Sequence, residues 1–69
     1  MKKKYYVNKH AQSNGDHEVH EQSCVYLPAE QNRLYLGEFY GCRDAVDEAK
    51  KTYKSADGCK TCSPGCHTR

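Results

Sequence analysis

Hydrophobic and polar positions alternate with a period of two along the first half of the chain, then switch to a period of about 3.6. Tyr5-Tyr6-Val7 is a short β-prone run, and His17-Glu18-Val19-His20 alternates again after a polar stretch, which puts Val19 and His20 on opposite faces of a strand. Asn14-Gly15 between them is the strongest turn signal in the chain, so the two runs read as a hairpin. Pro28 and the polar residues after it close that region. Arg33-Leu-Tyr-Leu-Gly-Glu-Phe39 then reads as the best strand, with Gly37 as the expected point of a bulge or a close approach. The expected sheet has two to three short antiparallel strands.

Beyond it, Cys42, Ala45, Val46, Ala49 and Tyr53 fall on one helical stripe, and Arg43, Asp44, Asp47, Glu48, Lys50 and Lys51 cover the rest. The pattern predicts an amphipathic helix of about three turns. Asp44, Asp47 and Glu48 stand towards its start and Lys50, Lys51 and Lys54 towards its end, the order that complements the helix dipole. Gly58 interrupts the chain before Cys59, and Ser63-Pro64-Gly65 turns it after Cys62. The fold expected is therefore α+β: one domain over 1–69, with a basic arm at 1–4, a C-terminal Cys-x2-Cys knuckle and a flexible tail at 65–69.

Composition adds the need for a staple. The chain has 69 residues, 36% of them hydrophobic and none of them Trp, so apolar burial alone leaves little stability once chain entropy is subtracted. No apolar run is long enough to cross a bilayer. The charged start Met1-Lys-Lys-Lys is followed by Asn8, Lys9 and His10 where the hydrophobic part of a signal peptide would continue, which points to the cytoplasm. In that reducing compartment an odd number of cysteines, Cys24, Cys42, Cys59, Cys62 and Cys66, fits a metal site better than a set of disulfides.

Two pairs have metal-ligand spacing: His20 with Cys24, and Cys59 with Cys62 in the knuckle. Three thiolates and one neutral imidazole would close the sphere of one zinc ion, giving a structural rather than a catalytic site. His17 in place of His20, and Cys66 or His67 in place of a knuckle member, remain alternative ligands. Cys42, on the apolar stripe, reads as a small buried hydrophobe. No Ser-His-Asp or Cys-His motif, phosphate-binding glycine loop or metalloprotease His spacing is present, so the protein is expected not to be an enzyme.

The run H-E-Q-S-C from His20, L-Y-L-G-E-F from Leu34, C-R-D-A-V-D-E-A from Cys42 and G-C-K-T-C-S-P from Gly58 resembles the metal-binding domain of the Ada DNA-repair protein. It also resembles the related zinc tails of some bacterial nucleases. The resemblance implies zinc at His20, Cys24, Cys59 and Cys62. It also implies that His20 stands where Ada carries the cysteine that accepts a methyl group, so the thiolate for that transfer is missing here. The leading expectation is a non-catalytic binding module for nucleic acid, with Lys2, Lys3, Lys4, Lys50, Lys51 and Lys54 meeting phosphates and Tyr5, Tyr6 or Tyr40 stacking on bases. The alternatives are a protein-interaction module, such as a small regulator or inhibitor of a larger protein, and, more remotely, a thiol methyl acceptor or redox protein. Neither a membrane nor a small-molecule substrate is expected as partner.

Overall fold

The two alternating runs pair as an antiparallel hairpin, β1 (Lys3–Asn8) with β2 (His17–Glu21), in the computed structural model, which describes residues 1–68. Tyr6 stands opposite His20 and Val7 opposite Val19. Gly15 supplies the turn with φ +91°, and the Asp16 N–H donates to Asn14 Oδ1 at 2.9 Å. Val7 and Val19 are fully buried, so each strand turns one face into the core and the other away from it.

β3 (Arg33–Phe39) pairs antiparallel with the other side of β1, and the register slips between Tyr5–Gly37 and Tyr6–Tyr35. Leu36 is the extra residue, and Gly37 absorbs the irregularity with φ +123°. The slip rephases the alternation. Leu34, Leu36 and Phe39 all pack against the core, while Tyr35 points away from it.

The helix α1 (Cys42–Ala49) has eight residues, about two turns rather than three. After Lys50 N–H to Val46 O, the bonds tighten to Lys51 N–H on Glu48 O and Thr52 N–H on Ala49 O, and the chain unwinds towards the sheet. Tyr53 reaches the core from this turn, and Lys50, Lys51 and Lys54 lie beyond the helix. Ala45, Val46 and Ala49 bury against Tyr5, Val7, Val19 and Ala56. Each valine contributes roughly 1.5–3 kcal/mol by that burial.

The expectation of two to three antiparallel strands is corrected by a fourth strand, β4 (Ala56–Gly58). It pairs parallel with β2, His17 opposite Ala56 and Val19 opposite Gly58, in a mixed sheet of order β3-β1-β2-β4. The chain thus travels from one edge of the sheet to the other through α1. Its last residue has no room for a side chain: a Cβ on Gly58 would lie 2.7 Å from Cys66 Cβ.

Cys42 is not an unpaired hydrophobe. It forms a disulfide with Cys66 across a Cα–Cα distance of 6.2 Å, tying the start of α1 to the 3-10 turn Pro64–Cys66. Closing a loop with a sequence separation of 24 stabilises the fold by about 3.5 kcal/mol in the chain-entropy picture. A disulfide thus stands beside the three free cysteines where a metal site in place of disulfides is expected; the cysteines divide into two in the disulfide and three free. The segment read as a tail is held further by Thr68, whose N–H and Oγ1 donate to the Asp57 carboxylate at 2.9–3.2 Å. Burial alone would raise the Asp57 carboxyl, but these bonds, one from the Gly58 N–H and the nearby His67 hold it below its ordinary value. Arg69 lies outside the described residues.

Candidate metal centre

Parallel pairing of β4 with β2 is what assembles the site. Gly58 lies beside Val19, so the next residue on each strand, Cys59 and His20, become neighbours, and the Cys59 N–H donates to Val19 O at 2.9 Å. Past Glu21 the chain turns back, Cys24 N–H bonding Glu21 O at 3.0 Å, and this returns the Cys24 sulfur over the end of β2. On the other side Ser63 N–H bonds Cys59 O at 2.8 Å, which closes the knuckle and brings in Cys62. Ligand atoms of His20, Cys24, Cys59 and Cys62 all lie within 4.8 Å of one another, and these four side chains could hold a metal ion.

Three observations fit a cation at their centre. Cys24 Sγ and Cys59 Sγ are 3.9 Å apart, too far for a disulfide at about 2.0 Å but suited to two sulfurs sharing one ion. His20 is 1% exposed, and its Nδ1 is buried without a hydrogen-bond partner among the described residues. Its other nitrogen, Nε2, faces Glu18 Oε1 at 3.5 Å. A carboxylate at Nε2 selects the tautomer with the proton there, leaving the Nδ1 lone pair for a metal. Burial lowers the His20 pKa and Glu18 opposes this without cancelling it, so the imidazole is held neutral, as a ligand must be.

The sulfurs are prepared in the same manner. Glu21 N–H donates to Cys62 Sγ at 3.3 Å and Tyr26 N–H to Cys24 Sγ at 3.4 Å, bonds that temper the charge of thiolates. Burial pushes the Cys24 thiol up to about 12; the Tyr26 N–H lowers it, while the Cys62 and Cys59 sulfurs add to the rise. A thiol held protonated in this way gives up its proton to a cation, so metal uptake at Cys24 releases a proton.

The alternative ligands lie elsewhere. His17 stacks on Tyr53, ring centroids 3.9 Å apart, and its Nδ1 faces Asn8 O at 2.9 Å. Cys66 is consumed by the disulfide, and His67 Nδ1 faces Gly58 O at 3.1 Å beside Asp57. The structure keeps Lys2, Lys3 and Lys4 together along one groove, which Glu21 and Glu38 also line, but places Lys50, Lys51 and Lys54 away from it. Lys3 pairs with Glu21 and Lys51 with Glu48, Lys4 lines a groove with Tyr6, and Lys50 lines another with Asp57. Lys2 lies over the Tyr40 ring, and Lys54 is exposed. Tyr5 is core material at 3% exposure, whereas Tyr35, which sequence reasoning passed over, is 51% exposed; the alternation Leu34-Tyr35-Leu36 is the signal that turns it outward.

Fold and site together define a small α+β domain, a mixed four-stranded sheet with one helix, organised round a cluster of one histidine and three cysteines. Comparison with protein-family models, curated proteins and solved structures gives no match, so the resemblance to Ada-type domains rests on the order of residues alone. No helix among the described residues is long and apolar enough to cross a membrane.

Proposed function

We propose that this protein is a non-catalytic module, stapled by one structural zinc ion at His20, Cys24, Cys59 and Cys62, that binds nucleic acid. The observation that carries the metal assignment is the orphaned, buried Nδ1 of His20 among three free sulfurs. One nitrogen and three soft sulfurs in a compact group suit zinc, and a tetrahedral Zn–S length of about 2.3 Å gives a sulfur–sulfur edge of about 3.8 Å, close to the 3.9 Å between Cys24 and Cys59. Four protein donors fill the tetrahedron and leave no position for substrate, which supports a structural role. Imidazole at residue 20 leaves no thiolate at the Ada-like acceptor position.

Support for nucleic acid comes from two cation–ring pairs at the surface, Arg33 over Tyr6 and Lys2 over Tyr40, on a chain of net charge +2. A second reading, docking on a larger protein, is favoured by one observation: Val25 and Tyr26, on the loop that carries Cys24, are 82% and 65% exposed. Metal analysis of the purified protein and oligonucleotide binding at rising salt test the two halves. One zinc per chain and affinity that falls steeply between about 50 and about 200 mM salt are expected; absence of binding even at low salt would refute the nucleic-acid half.

A further inference from the structure

The sheet face that carries no helix is sealed over β2 by the Cys24 loop and the knuckle, but it lies open over β1 and β3. Tyr6 and Tyr35 are register partners there, ring centroids 5.2 Å apart and inclined at 50°. The Arg33 guanidinium lies 4.7 Å from the Tyr6 ring centroid, held by a bond from its Nη1 to Pro28 O at 3.0 Å. These residues with Lys4 and Glu30 line an open groove of about 360 Å³. At the far end of the same two strands the Lys2 ammonium lies 5.5 Å from the centroid of the Tyr40 ring, which is 76% exposed.

We infer that this face is a stacking platform for single-stranded nucleic acid, with Tyr35 and Tyr6 as one ring station, Tyr40 as a second, and Lys2, Lys4 and Arg33 meeting the phosphates. The inference rests on the nucleic-acid reading above and narrows it to one surface and one form of the polymer. Rings that stand in the open between cations match a chain whose unstacked bases offer π-faces and whose backbone is anionic. The charge balance is modest but has the right sign: three cations against Glu30 at the groove and Glu38 opposite Lys4. Tyr6, the partner of Tyr35, and Lys2, which lies at Tyr40, are four positions apart along the chain, roughly 13 Å at about 3.3 Å per residue, so the face suits a run of nucleotides better than one ring.

A duplex fits poorly. Its bases are already stacked and hidden, and the helix α1, brought to its major groove, would present the exposed Asp44 and Asp47. Lys50 and Lys51 take no part, because Lys50 lines another groove and Lys51 pairs with Glu48.

Fluorescence anisotropy of the zinc-loaded full chain with a labelled mixed-sequence single strand, and with the same strand annealed to its complement, tests the inference. Single-strand binding at least about tenfold tighter than duplex binding is expected, with a further loss of about ten- to a hundredfold in Tyr6→Ala/Tyr35→Ala. Tyr35→Ala alone and Tyr40→Ala guard against misfolding, since both rings are exposed; each is expected to keep one zinc and the parent unfolding midpoint while weakening the single strand. Equal or tighter duplex binding, or single-strand binding that none of these substitutions weakens, would overturn the platform while leaving the nucleic-acid reading standing. No binding of either form at low salt would overturn both. Capture of a protein partner that these substitutions abolish, with oligonucleotide binding untouched, would assign the face to protein instead.

Discussion

Tyr6 and His20 are partners across two adjacent strands on the same helix-free face, yet they live in different surroundings. His20 is 1% exposed beneath the Cys24 loop and the Cys59–Cys62 knuckle, whereas Tyr6 borders an open groove with the half-exposed Tyr35. Strand alternation delivers both side chains to that face, so alternation alone cannot decide their roles. The loops decide. Where the chain folds back with soft ligands, the face becomes a clamp; where it does not, rings and cations stay available to a partner. A small core forces the division, because a chain of 69 residues cannot be held by its valines and alanines alone.

The two halves of the face should differ most when the clamp is cut. Cys59→Ser or Cys62→Ser should abolish the folded state seen by far-UV circular dichroism, because a structural zinc site supplies about 10–16 kcal/mol, as much as the entire stability of an ordinary domain. Retention of native dichroism in these variants would mean that the cluster is ornamental. Next in size, the Cys42→Ser/Cys66→Ser variant should lose about 3–4 kcal/mol in urea unfolding and keep its metal, since the disulfide ties α1 to the C-terminal turn without touching the four ligands. Metal loss in that variant would show that the two staples are one unit.

Two smaller effects bear on how the clamp is placed. Gly58→Ala forces a Cβ to within 2.7 Å of Cys66 and should lower stability by about 1–3 kcal/mol in thermal unfolding; an unchanged midpoint would argue against β4 as the element that places Cys59 beside His20. Glu18→Gln keeps the shape but weakens the partner of His20 Nε2. Competition with a chromophoric chelator should then show zinc affinity reduced about tenfold to a hundredfold, and equal affinity would remove Glu18 from the orientation of the imidazole.

Much of the sheet and the ligand spacing is legible in the sequence because both are local. Alternation in β1, β2 and β3, the Asn14-Gly15 turn and the bulge at Gly37 are written in neighbouring residues, and the pairs His20/Cys24 and Cys59/Cys62 declare themselves by spacing. What stays hidden depends on pairings far apart in the chain. β4 is three residues of Ala-Asp-Gly that read as a turn, and it becomes a strand only because α1 carries it across to β2. The Cys42–Cys66 bond joins two residues whose local contexts, a helix stripe and a terminal turn, give no hint of each other. Glu18 is invisible as a partner because it precedes His20 by only two residues, a spacing that puts them on one strand face without stating which ring nitrogen it meets. The helix is overextended by the pattern because Tyr53 continues its stripe by number while reaching the core from a turn.

Whether zinc holds this chain folded can be read in a single experiment: native mass spectrometry of the purified protein, with and without a strong chelator, and circular dichroism on the same samples. A mass of the chain plus one zinc ion is expected, with loss of both the ion and the folded spectrum after chelation. A metal-free chain that keeps its folded spectrum would contradict the structural role of the metal.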